Sequence, residues 1–138
     1  MDTTKITVQT TVSADKSKVW TYYTMPEHIT QWNFASDDWQ CPAVENDMRV
    51  GGKYNARMEA KDGSVGFDFE AVYDDIQEGE EFTYTMLDGR QAHVSFKNLG
   101  DETEVTVTFD AEKENNEELQ RSGWQAILDN FRNYVEAN

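Results

Sequence analysis

Few side chains in this sequence have the type and spacing that covalent or metal chemistry requires. His28, His93 and Cys41 are the natural bases, nucleophiles and soft ligands, and the chain has only two histidines and one cysteine. A metal site gathers three or four His, Cys or carboxylate ligands at short spacings, whereas these three stand apart without spaced partners. His93 sits in QAHVSF, where alternation gives it an ordinary sheet position, and there is no G-x-S-x-G elbow to strain a serine into a nucleophile. Gly51-Gly52 leads into a strand, so it lacks the following helix whose amide end would hold a phosphate or dinucleotide. The acidic pairs Asp37-Asp38, Asp74-Asp75 and Glu80-Glu81 fall where turns and loops are expected and read as solvated charge. The expectation is no catalytic residue, no metal and no cofactor.

The chemistry that remains is apolar. Seven Phe, six Tyr and four Trp are far more aromatic surface than a solvated acidic chain carries, so these rings need a core or a pocket. Their spacing says which elements hold them. Ile6, Val8, Thr10 and Val12 alternate with polar residues, as in a half-buried strand. Ser13 and Asp15 offer capping oxygens to a short helix carrying Val19, Trp20, Tyr23 and Met25, which Pro26 breaks. PEHITQW restarts a helical turn with proline in its first turn, and a loop then leads to a strand near Cys41 to Glu45. From Tyr54 onward, strand-like runs are punctuated at Asp62-Gly63, Glu78-Gly79, Asp88-Gly89 and Gly100-Asp101, which predicts an antiparallel meander. One face of it is aromatic: Tyr54, Ala56 and Met58; Phe67, Phe69, Ala71 and Tyr73; Phe82, Tyr84 and Met86. Arg57 and Glu70 point the other way. After Glu112 the period lengthens, and Leu119, Trp124, Ile127, Leu128, Phe131 and Val135 mark a long amphipathic helix with Glu114, Glu117 and Glu118 at its positive end.

The fold class is therefore α+β: a curved antiparallel sheet of about six or seven strands wrapped around a long C-terminal helix, with short helices after the first strand. No linker or repeat divides residues 1–138, and one domain of this length buries roughly 70% of its unfolded surface. One helix cannot plug so wide an aromatic face, so a lined void is expected beside it. A net charge of −15 repels nucleic acid and anionic lipid, which excludes both as partners. The amino terminus lacks a signal peptide, no run of about 18 apolar residues is present, and a lone cysteine fits a reducing compartment; a cytoplasmic protein is expected.

Three stretches are more specific than the general pattern: Pro26 to Trp32, the start of a strand at Gly51-Gly52-Lys53-Tyr54, and Gly123-Trp124 followed by Ile127, Leu128 and Phe131. Together they resemble the START-related, birch-pollen-allergen-like superfamily, and within it the bacterial homologues of the activator of the 90-kilodalton heat-shock protein ATPase. The resemblance spans nearly the whole chain. It implies a helix-grip fold whose cavity, between the sheet and the last helix, takes a small hydrophobic, lipid-like or aromatic molecule. By matching positions it implies Trp32 and Trp39 at the mouth, with Tyr54, Met58, Phe67, Phe69, Tyr84, Met86, Trp124, Ile127 and Phe131 along the walls. Gly123 would bring the helix close to the sheet or leave room for a ligand. Non-enzymatic binding, with a link to stress, is the leading expectation. A co-chaperone that stimulates a heat-shock ATPase is the second, on a chain that matches only the activator's carboxy-terminal part. A polyketide cyclase or aromatase is the third, which would require Tyr54, Tyr73, Tyr84 or His93 inside the pocket.

Overall fold

The computed structural model describes residues 4–113 and 116–138. Strand β1 (Lys5–Val12) keeps its alternation, with Ile6, Val8, Thr10 and Val12 buried. Helix α1 (Lys16–Thr24) begins where the Asp15 side chain accepts from the Lys18 N–H, satisfying one of the orphan amides of the first turn. It stops at Met25, whose backbone is extended because Pro26 follows, and α2 (Pro26–Ile29) restarts with that proline in its first turn. Met25, expected on the helix face, is instead an exposed joint between the two helices. Strands β2 (Trp39–Asn46), β3 (Lys53–Ala60), β4 (Gly66–Gln77), β5 (Glu81–Met86), β6 (Gln91–Asn98) and β7 (Thr103–Asp110) precede the long helix α3 (Glu117–Ala137). Asn116 caps α3 by accepting from the Leu119 N–H, so the helix starts later than the change of period suggested; Glu114 lies outside the described residues.

All seven strands form one antiparallel sheet in the order β1-β7-β6-β5-β4-β3-β2. Two register slips sharpen its curl into a half-barrel. One falls between Gln40 and Ala43, where Pro42 has no N–H to give, and the other between Tyr73 and Asp75 in the long β4. Asp74-Asp75 lie at the second, inside β4 rather than in the expected turn. Both edges of the sheet are occupied. On β1, Arg121 and Gln125 of α3 donate to the Thr7 and Gln9 carbonyls at 3.0 and 3.1 Å, and the Ser13 N–H donates to the Glu136 carboxylate. On β2, the Asn46 amide donates to the Thr24 carbonyl at the end of α1.

The core lies between the concave face and the helices. Leu128, Phe131 and Val135 of α3 are almost wholly buried against Ile6, Val8, Val12, Val105 and Phe109 of the sheet and Val19 and Ile29 of α1 and α2. Burying such side chains stabilises the fold by roughly 1.5–3 kcal/mol each. The loop before β3 is fixed by glycine. Gly51 holds a φ of +83°, and the pair exchanges backbone hydrogen bonds with Tyr73 on β4, at 2.8 and 3.0 Å. A Cβ on Gly52 would stand 2.2 Å from the Asp47 carbonyl oxygen. Gly52→Ala is therefore expected to lower stability by about 2 kcal/mol or more, read from urea denaturation, because backbone must move to admit the methyl group; a loss within error would show that this loop yields freely.

Candidate functional site

Between the concave face of the sheet and the amino-terminal half of α3 lies a cavity of about 430 Å³. The helix grips the sheet by its carboxy-terminal half, and Trp124, stacked on Phe109 at 4.0 Å between ring centres, props the other half away. The sheet wall is aromatic and thioether: Tyr54 and Met58 from β3, Phe67, Phe69 and Tyr73 from β4, and Phe82 and Tyr84 from β5. Rings on it pack edge to face or stacked, with Tyr54 and Tyr84 parallel at 6.1 Å and Phe69 edge-on to both. The helix wall is Leu119, Gln120, Gly123, Trp124, Ile127 and Leu128, and Tyr23, Trp32, Asn33 and Ala35 close the end below α1 and α2. A Cβ built on Gly123 would meet nothing within 4 Å, so this glycine leaves open space rather than bringing helix and sheet together.

Of the residues singled out by resemblance, Trp32, Tyr54, Met58, Phe67, Phe69, Tyr84, Trp124 and Ile127 line this cavity. Three do not. Phe131 is fully buried with its ring against Trp32 at 4.8 Å and Tyr23 at 5.0 Å, so it braces the wall from behind. Met86 is buried at the end of β5, where its N–H donates to the Arg90 carbonyl across the turn. Trp39 stands outside the lining, edge-on to Phe67 and packed on Cys41 and Met58. Trp32, expected at the mouth, is only 3% exposed, because its indole N–H donates to the Tyr22 carbonyl and Asn130 of α3 donates to its own carbonyl. The mouth belongs to Phe67 and Leu119, which are about half exposed. His93 is on the outer face of the sheet, bonded to Thr83 and near Glu81, so it does not reach the cavity. His28 is stacked on Tyr22 and hydrogen-bonded to the Tyr134 hydroxyl.

Sequence reasoning named the rings and missed the polar lining. Asn33 points its amide toward the Tyr54 hydroxyl and the sulfurs of Met58 and Cys41 at 3.5 to 3.7 Å. Gln120, buried early in α3, exchanges two hydrogen bonds with the backbone of Glu112. Arg90 is held by the Asp88 carboxylate at 2.7 Å and by the Asp110 carbonyl. Burial pushes the Asp110 carboxyl up, but hydrogen bonds from Lys5 and the Gln91 N–H outweigh it and keep the group below the usual carboxylate range. Gln120 lies among the polar residues that open α3 and so carried no signal, and Asn33 and Arg90 sit in a loop and a turn, where periodicity says nothing.

Four phenols gather in the buried wall. Burial, and then the neighbouring phenols, push Tyr23 and Tyr54 far above the ordinary tyrosine value. Burial does the same for Tyr73, whose hydroxyl donates to Asn46 at 2.6 Å, and for Tyr84, which Arg90 partly offsets. None is a base at neutral pH. Among the described residues, no group of three or more His, Cys, Asp and Glu side chains could hold a metal, and no helix is long and apolar enough to cross a membrane.

The family profile described as Activator of Hsp90 ATPase homolog 1-like protein matches residues 13–136. The chain is similar to the solution structure of an AHSA1-like protein from Aeromonas hydrophila, with 39% identity, a TM-score of 0.91, and coverage of 97% of this chain and 93% of that one. It is similar also to a protein from Cytophaga hutchinsonii, at 47% identity and a TM-score of 0.84, with the same coverage of both chains. A protein from Chromobacterium violaceum shares the fold at 21% identity and a TM-score of 0.85, over 97% of this chain and 98% of that one. No curated protein matches the chain.

The phenol cluster has a measurable signature. A tyrosine whose folded pKa is raised keeps its proton when the unfolded chain has already lost it, so the folded state binds more protons above about pH 10 and stability falls as pH rises from there. Absorbance at 295 nm is expected to show Tyr23, Tyr54, Tyr73 and Tyr84 ionising only with alkaline unfolding, and ionisation of all six tyrosines near pH 10 in a folded chain would contradict the burial described.

Proposed function

The chain belongs to the Activator of Hsp90 ATPase homolog 1-like family, and on that premise we propose that it binds a small hydrophobic molecule, without turning it over, in the cavity between the sheet and α3. The family's helix-grip fold supports a ligand-binding domain in general. The observation that carries the more particular reading is the unfilled space itself: about 430 Å³, walled by rings and faced by Gly123. Interiors close-pack where nothing else is to be held, and this volume falls in the range of small-molecule pockets, about 300–1,000 Å³. Binding without turnover is supported by the chemistry of the buried wall. Its phenols are driven away from ionisation, which makes them poor acids and poor bases at neutral pH, and His93 faces solvent on the other side of the sheet. The mouth formed by Phe67 and Leu119 supports an apolar guest, since these side chains stay half in water until something covers them.

A ligand that binds only the folded state raises stability by RT ln(1 + [L]/Kd), about 2.7 kcal/mol at a hundred times Kd. A thermal-shift panel of polycyclic aromatics, sterols and fatty acids is expected to contain compounds that raise the melting temperature by several degrees, and a panel without any would end the proposal. Gly123 supplies the matched control. Gly123→Ala is expected to gain up to about 1 kcal/mol through helix propensity alone and to keep binding, because its methyl group meets nothing. Gly123→Leu is expected to fold and to lose binding by tenfold or more, measured by titration calorimetry, since its side chain enters the space the ligand needs.

A further inference from the structure

The ligand reading leaves one feature unexplained: the hydroxyls of two tyrosines on the cavity wall have no protein partner. Tyr84 is only 9% exposed and lines the cavity, yet its hydroxyl has no hydrogen-bond partner among the described residues. Tyr23, entering from α1, lines the same cavity and is equally unpartnered. They differ from their neighbours, for Tyr73 donates to Asn46 at 2.6 Å and Tyr54 accepts from Asn33 at 3.5 Å. The four phenols form one group, with Tyr84 stacked on Tyr54 and edge-on to Tyr73, each at 6.1 Å between ring centres. A purely hydrocarbon guest would strip water from the two free hydroxyls and return nothing, leaving buried polar groups unsatisfied.

We propose that the guest is a flat apolar molecule carrying a neutral oxygen, a hydroxyl or a carbonyl, and that it seats that oxygen inward against the hydroxyls of Tyr23 and Tyr84. This rests on the cavity being the ligand site and adds what the ligand must present there. Neutral oxygen is favoured over carboxylate by the charges on the wall. Among the described lining residues Arg90 is the one cation; it is engaged by Asp88 and the Asp110 carbonyl, and Glu112 lines the same cavity. The chain as a whole carries −15, which repels an anionic guest on approach. The oxygen must also lie at the end of a ring system or at its edge, because the rest of the sheet wall offers ring faces, ring edges and the Met58 thioether.

Calorimetric or fluorescence titration with naphthalene, 2-naphthol and 2-naphthoate tests this with three guests of one shape. The expected order is 2-naphthol tighter than naphthalene by about tenfold or more, the yield of a buried hydrogen bond, with 2-naphthoate the weakest. The double variant Tyr23→Phe, Tyr84→Phe is expected to bind 2-naphthol and naphthalene equally while its naphthalene Kd stays the same or falls. Because neither hydroxyl bonds to the protein, the variant should melt at or above the wild-type temperature. Equal binding of naphthalene and 2-naphthol by the wild type would overturn the inference while leaving the cavity a ligand site, and it would do so without any variant. A preference that survives both substitutions would also overturn it, as would 2-naphthoate binding tightest, which would point to Arg90. Failure of all three guests to bind would remove the ligand reading and this inference with it.

Discussion

The stacking of Trp124 on Phe109 decides what kind of molecule this is. An amphipathic helix would ordinarily collapse onto a sheet along its whole length, since each apolar side chain left in water forgoes roughly 1.5–3 kcal/mol. Here α3 collapses only from Leu128 onward, where Leu128, Phe131 and Val135 are buried. Before that point an indole lies flat on Phe109, a ring's thickness above β7, and the glycine beside it contributes no side chain to fill the gap. The cavity is thus the product of one bulky contact and one missing one. Its sheet wall follows from the rows of alternate residues on β3, β4 and β5 that the helix does not reach.

The polar groups of this interior are neutral hydrogen-bonding groups. Phenols pushed away from ionisation offer hydrogen bonds that persist unchanged across the physiological pH range, and the charged groups nearby are already balanced, Arg90 by Asp88 and Asp110 by Lys5. Most of the acidic side chains lie on the outside, where they repel like-charged neighbours.

Period two and period 3.6 carried most of this architecture, because one face of every strand and one stripe of α3 must be apolar for the sheet and helix to meet. The rings of Tyr54, Phe69, Tyr73, Phe82 and Tyr84 were legible as one face for that reason. What the pattern cannot carry is depth. Phe67 and Phe69 are equivalent in alternation, yet the first is half exposed at the mouth and the second is tucked between tyrosines. Phe131 and Ile127 share a helix stripe, but one turn along the axis separates a residue behind the wall from one in it. Register slips are equally silent: nothing in the alternation marks the bulge between Tyr73 and Asp75. Asn33 and Arg90 were invisible because loops and turns have no period at all.

The treatment of the two sheet margins has a consequence for the life of the molecule in a crowded solution. An incomplete barrel has two outermost strands, and unpaired backbone there can template another chain, the first step toward domain exchange or fibrils. On one side the Thr7 and Gln9 carbonyls are already taken by Arg121 and Gln125. On the other, Pro42 and the slip beside it interrupt the ladder that an incoming strand would have to follow. A hollow, ring-rich protein would otherwise be prone to self-association, and here the same long helix that leaves the hollow open also seals one of the seams through which copies could join.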